Sequence, residues 1–531
     1  RDPILPTRSC KPRRGIYTLR REEQDPTDMA SNKHPQKLAA ESHPTVSLKL
    51  LVDKKEKRVV AAESNRDFMD VLLSFLTLPL GTIIRLLEKQ SSLGCMDRLY
   101  QSVEELDLRL METKACKTML LRPRSTAGIT CDNLKLKIDD TKHRSSFRCS
   151  TWDCHTKKFP LYSPVEDAQC PCGKIMDTAL FWQKKDGAFV ERMTNFMMTE
   201  DLNVTPTSTD VALSVLSGVD AGAVLEEMHV TIGRKKMLNL LKASLLSDTP
   251  LTDVFLRKHN VKDRRNDIIE KPQRPSMTKC ESAAESKRLK MKLVLSKSTN
   301  TVLYAEAGGD VVDFLLSFLT FPVGSVIKLL DKFSCVGCVD NLYKSVEEMI
   351  DVDGLLHFDN CYDMLLSPML ASMFGCDSQL LSIQEQASYS WIARGCEDCN
   401  RQHEPSVGSK CKHGIEVATK YRVNPKLLGS GTERGGGFTK GNEVFMITDE
   451  LEVKPLSSIS AIHAIRKWGI TVCDIVEREV SLGETEGLKL LKESLRSRRV
   501  LSSVFCHSVP IRSSPPGVVT GSKLWCCFRS S

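Results

Sequence analysis

The stretch DFMDVLLSFLTLPLGTIIRLLEK, Asp67–Lys89, decides how this 531-residue chain is read, because the chain says it twice. Residues Asp310–Lys332 read DVVDFLLSFLTFPVGSVIKLLDK, at a constant offset of 243. Extended outward, Lys49–Asp107 aligns without a gap on Lys292–Ile350, with 30 identities in 59 positions. The correspondence then drifts but persists. Cys116 falls on Cys361 and Cys131 on Cys376; FMMTEDLNVTPTS from Phe196 answers FMITDELEVKPLS from Phe445. LLKASLLSDTPLTDVF ending at Phe255 answers LLKESLRSRRVLSSVF ending at Phe505. A period of this length is that of a duplicated domain and not of a solenoid.

The expected organisation follows: a first unit over residues 47–257, a polar linker over 258–289 and a second unit over 290–506. Tails over 1–46 and 507–531 flank them. Within each unit the pattern predicts an α+β fold. Leu48–Glu63 is two apolar runs about a charged turn, which suggests a β-hairpin. Asp67–Lys89 has helical spacing broken at Pro79 and Gly81, hence helix, bend, helix. Asp97–Leu106 reads as a short amphipathic helix, Phe196–Pro206 as extended and Ser208–Leu246 as largely helical. The run Val71–Ile84 is too short for a membrane span and is interrupted by Pro79, so it is expected in the core.

The pattern KLLVDKK…DFMDVLLSFLTLPLGTIIRLL, with the later LLKASL…LTDVF, resembles the plant family known as domain of unknown function 674. The resemblance covers most of residues 47–506 in both copies. It implies plant origin and this architecture, and it brings no activity and no catalytic residues with it.

Composition is that of a globular protein, 41% hydrophobic and 27% charged. The net charge of +8 is unevenly placed: residues 1–46, 258–289 and 507–531 together carry +10, leaving the body at −2. A charged nucleic-acid groove in the folded part is therefore disfavoured, and aromatics are not interleaved with the basic residues. The start lacks an apolar secretory segment, which with free thiols points to the cytoplasm or nucleus. Met29-Ala30-Ser31 reads as a translation start, so residues 1–28 receive no functional weight.

Twenty cysteines are the chemical signal. Unit one offers Cys149-x4-Cys154 and Cys170-x-Cys172, and unit two offers Cys396-x2-Cys399 and Cys411-x-His413. Two ligand pairs in turn-rich sequence suit a tetrahedral ion. The exchange of Cys172 for His413 favours zinc over a disulfide, since zinc accepts either ligand and a disulfide does not. Four ligands per site leave no open position, which predicts a structural role. Unliganded thiols, and a redox or disulfide role, are the alternatives, and His155 and His403 lie close enough in sequence to replace a weak ligand. Cys131 and Cys376 could also approach, although a core role suits them better; Cys95, Cys338, Cys116 and Cys361 are expected to be core thiols.

Other motifs are weaker. GSGTERGGGFTKG, from Gly429, lacks both phosphate-loop patterns and is expected to be a flexible hairpin loop. Asp67 and Asp70, matched by Asp310 and Asp313, sit where carboxylates cap a helix start. Cys526-Cys527 could accept palmitate, though a disordered tail is the simpler reading. The working function is a soluble interaction or scaffold protein with structural zinc and an unidentified protein partner. An enzyme of unrecognised type and a nucleic-acid-associated protein are the alternatives.

Overall fold

The hairpin ahead of the repeated stretch is where each half of the fold begins. Leu48, Leu50 and Val52 alternate with Lys49 and Leu51, so one side of the strand Val46–Asp53 turns to the core and the other outward. It pairs antiparallel with Arg58–Ser64 through a register shift at Leu51/Val52. The computed structural model describes residues 44–141, 145–155, 161–181, 189–191, 195–257, 287–332, 337–351, 355–356, 361–386, 389–391, 419–427 and 435–506.

Five antiparallel strands form the first sheet, in the order Val204–Pro206, Phe196–Thr199, Arg58–Ser64, Val46–Asp53 and Leu225–Ile232. The second sheet repeats that order with Val453–Pro455, Val444–Thr448, Thr301–Gly308, Leu289–Ser296 and Ile475–Leu482. The hairpin and the extended Phe196–Pro206 segment thus form as the sequence suggests. The largely helical reading of Ser208–Leu246 needs correcting. A helix, Thr209–Ser217, is followed by the edge strand Leu225–Ile232 before the helix Arg234–Leu246 begins. Met228, Val230 and Ile232 alternate with exposed Glu227, His229 and Thr231, a period of two that the flanking helical spacing masks.

The stretch Asp67–Lys89 folds as helix Arg66–Leu73, a 3₁₀ turn Ser74–Thr77, and helix Leu80–Leu86 begun by Pro79. Its second copy folds as Gly309–Ser317, Phe318–Thr320 and Val323–Leu329. The Val71–Ile84 run is buried throughout, as expected of a core element. Among the described residues no helix is long and apolar enough to cross a membrane.

The two sequence copies do not stand apart as beads on a linker. From Pro44 onward the chain clusters as one compact unit, and the apolar residues of both copies share one core. The bends of the two repeated stretches meet at its centre. Leu80 N–H donates to Phe321 O at 2.9 Å and Val323 N–H to Leu78 O at 3.0 Å, which bridges Pro79 to Pro322. The glycine two residues after each proline is what lets the backbones pass. A Cβ on Gly81 would lie 2.9 Å from Leu319 O of the other stretch, and one on Gly324 would lie 3.2 Å from Leu76 O of the other stretch and 2.3 Å from Leu365 O of its own copy. Matched contacts continue outward. Ser345 Oγ accepts from Val204 N–H at 2.8 Å and Ser102 Oγ from Val453 N–H at 2.9 Å. Cys95 N–H donates to Ser494 O at 2.9 Å, and Cys338 N–H to Ser244 O at 2.8 Å. Each copy therefore satisfies backbone groups of the other, which ties the halves more firmly than apolar contact alone.

Candidate metal centre

The four candidate ligands of the first copy, Cys149, Cys154, Cys170 and Cys172, lie on a small ribbon outside the main core. Strand Ser145–Arg148 pairs antiparallel with Thr178–Phe181 and runs directly into Cys149. Cys154 follows on the one-turn helix Trp152–His155, its N–H bonded to Thr151 O at 3.0 Å. On the return, Ala168–Met176 doubles back as a hairpin closed by Met176 N–H to Ala168 O at 2.9 Å and Cys170 N–H to Lys174 O at 2.8 Å. Its tip holds Cys170 and Cys172. Gly173 there has φ of 86°, a conformation that favours glycine, and its N–H reaches Cys170 O at 2.8 Å.

This geometry brings the four predicted ligands together. The sulfurs of Cys149, Cys154, Cys170 and Cys172 all lie within 4.8 Å of one another, with Cys149 and Cys172 at 3.5 Å. A tetrahedral ion with Zn–S of about 2.3 Å spaces its sulfurs by about 3.8 Å, so the set would close by about 1 Å at most. Cys149 and Cys170 are buried, Cys154 half-buried and Cys172 exposed. Backbone donors are already in place. Thr151 N–H points at Cys149 Sγ over 3.5 Å, and Lys174 N–H bonds Cys172 Sγ. The Lys174 amide draws the Cys172 thiol down to about 6, whereas burial pushes Cys170 up to about 12 and also raises Cys154. Amides directed at sulfur favour the thiolate, which is the form that binds metal.

Met176 and Val423 back the thiols, with Phe147 and Leu161 packed beside them. Val423 comes from the second copy, whose strand Thr419–Arg422 lies parallel to Leu161–Tyr162. The remaining predicted ligands, Cys396, Cys399, Cys411 and His413, lie outside the described residues, as do His403, the His155 side chain and Cys526-Cys527.

The six cysteines expected in the core are buried there. Cys95 Sγ donates to Ser497 O at 3.0 Å and Cys338 Sγ to Ser247 O at 3.1 Å, and burial pushes both up to about 12. Cys116, Cys131, Cys361 and Cys376 sit in the main core.

Two readings of the carboxylates and the glycine loop change. Asp67 lies in the first turn of its helix, as expected for a dipole partner. Asp70 does not cap its own helix. Its Oδ1 accepts from Phe189 N–H at 2.7 Å and Val190 N–H at 3.0 Å, fixing a strap that crosses from elsewhere in the chain. Asp313 does the same for Thr439, accepting from its N–H and from its Oγ1–H, each at 2.8 Å. Burial raises Asp70 to about 6 and Asp313 to about 7. The glycine run is not a free hairpin over its described part, 435–441. Gly436 N–H donates to Asp377 at 2.7 Å, and a Cβ on Gly437 would lie 2.1 Å from Asp313 Oδ2. Protein carboxylates fill the space that a phosphate loop would give to its ligand. Beside it, buried Lys426 bonds Gly375 O and stands 5.2 Å from the Phe438 ring centre, its amine pulled down by burial. The i, i+3 spacing of the aspartates was visible in sequence; the partner Lys426 had no pattern to reveal it.

Among the described residues two open concavities lie on outer sheet faces, each within one copy. One, of about 620 Å³, is lined by Lys290, Lys292, Glu306 and Glu479; the other, of about 220 Å³, by Lys49, Leu51, Glu63 and Met197.

The family model described as "Protein of unknown function (DUF674)" matches residues 42–485, most of the chain and the whole of the thiol ribbon. The chain belongs to that family. For this DUF674 protein, neither the comparison with curated proteins nor that with solved structures gives a match. The thiol ribbon and the crossing of the two halves are therefore read from its own residues.

Proposed function

We propose that this DUF674 protein is a soluble plant interaction scaffold, formed by tandem duplication, in which Cys149, Cys154, Cys170 and Cys172 hold a structural zinc ion. The observation that carries the reading is the convergence of those four sulfurs within 4.8 Å on two backbone turns. Four thiolates complete a tetrahedral shell and leave no position for substrate, so the ion holds the ribbon in shape and does no chemistry. The ribbon has little apolar backing of its own, only Met176 and Val423 fully buried beside two of the cysteines, and a metal supplies the missing stability. Cys396, Cys399, Cys411 and His413 form the corresponding second site. The free state of the described cysteines suits a reducing compartment, cytoplasm or nucleus.

Elemental analysis of the purified full chain tests this. Two zinc ions per chain are expected, falling to one in Cys170→Ser/Cys172→Ser with the main fold retained by circular dichroism. A chain free of zinc, or zinc content indifferent to those substitutions, would sink the proposal.

A further inference from the structure

On the outer face of each sheet lies one helix, and neither is fully covered. Thr209–Ser217 sits beside the Lys49–Glu63 face of the first sheet with no residue fully buried. Ser458–Lys467 rests on Val294, Tyr304 and Met446 of the second sheet through Ala461, Ala464 and Ile465. Each helix leaves two apolar side chains exposed. Leu213 and Leu216 are 59% and 49% exposed, and Ile459 and Ile462 are 72% and 55% exposed. Paired exposed apolar residues on a helix are the kind of surface that marks a contact site.

The rims of the two surfaces differ in sign. Residues 208–220 carry a net −2 from Asp210 and Asp220, whereas residues 457–469 carry a net +2 from Arg466 and Lys467. Two first-copy helices would bring acid against acid, and two second-copy helices base against base. A first-copy helix against a second-copy helix matches apolar to apolar and acid to base.

We propose that the chain associates with further copies of itself head to tail, the Thr209–Ser217 helix of one molecule docking on the Ser458–Lys467 helix of the next. The two surfaces are different patches of one chain, so the contact is heterologous: it closes into a ring if the rotation allows and extends otherwise. Such assembly gives the scaffold reading its first partner, and the inference rests on that reading. Because complementary rims govern both encounter and register, the contact is sensitive to salt.

Sedimentation velocity of the full chain over a wide concentration range tests this. Wild-type protein is expected to move from monomer to higher species as concentration rises. Asp210→Lys and Arg466→Glu each weaken the association about tenfold or more, since each turns an attraction into a repulsion. An equal mixture of the two variants re-associates, because the unaltered surface of each still fits the unaltered surface of the other. Both side chains are exposed, and an unchanged melting temperature confirms that the variants fold. A wild-type chain that stays monomeric, association indifferent to both substitutions, or a mixture that fails to re-associate would each overturn the inference. A monomer whose apolar helices instead bring it down with phospholipid vesicles also overturns it. Zinc measured on the same samples separates the two readings: a monomer with zinc bound ends the self-association alone.

Discussion

Asp70 gives the sharpest quantitative test of how the fold is held. It is 5% exposed, yet its Oδ1 accepts from the amides of both Phe189 and Val190, with Arg66 Nε at 3.4 Å from Oδ2. Burial raises it from 3.8 to about 6 in spite of those donors. At about 1.36 kcal/mol per unit, ionisation costs the folded state about 3 kcal/mol. The sign follows from proton binding. Between pH of about 4 and about 6 the folded carboxyl holds a proton that the unfolded one has released, so its contribution falls as pH rises through that window and is level above it. Asp70→Asn keeps an oxygen for both amides and removes the charge. Its stability relative to wild type should therefore improve by about 3 kcal/mol from pH 4 to pH 8. Asp70→Ala leaves two buried amides without acceptors, at about 1–3 kcal/mol each, and should be the less stable variant at every pH. Urea unfolding followed by tryptophan fluorescence reads both differences. An alanine variant as stable as the asparagine one would refute the strap-holding role, and a pH-independent difference between wild type and Asp70→Asn would refute the burial cost.

Other consequences are simpler. Ser102→Ala and Ser345→Ala each orphan a backbone amide of the other copy, Val453 N–H and Val204 N–H, so each should cost about 1–3 kcal/mol in urea unfolding, and the two costs should add. Gly324→Ala should destabilise more than Gly81→Ala, because its Cβ would stand 2.3 Å from a carbonyl oxygen against 2.9 Å; overpacking of this kind costs about 1–3 kcal/mol, and equal melting temperatures would contradict the ordering. Chelation of zinc should open residues 145–181 to proteolysis while leaving the main thermal transition nearly unmoved, since the thiols pack in a cluster separate from the main core.

Much of this was legible in the sequence because the same pattern recurs at an offset of 243. The Leu-Pro-x-Gly bend could be read as a break between helices, but its purpose could not. Pro79 and Pro322 meet only in three dimensions, and no local period encodes a contact 243 residues away. For the same reason the copies read as domains in series, although their cores are continuous. The strand Leu225–Ile232 escaped because its Met-x-Val-x-Ile alternation lies between two strong helical patterns. The thiol cluster was readable from spacing, since each pair lies within one turn and only the loop between pairs had to close. The straps held by Asp70 and Asp313 were not, because a carboxylate in a first helical turn looks the same whether it serves its own helix or a distant amide.

X-ray absorption at the zinc edge of the purified full chain tests the central claim most directly. The account expects a shell dominated by sulfur at about 2.3 Å, with between three and four sulfurs per ion and the remainder nitrogen at about 2.0 Å. Zinc bound only through oxygen and nitrogen, or a chain carrying none, would contradict it.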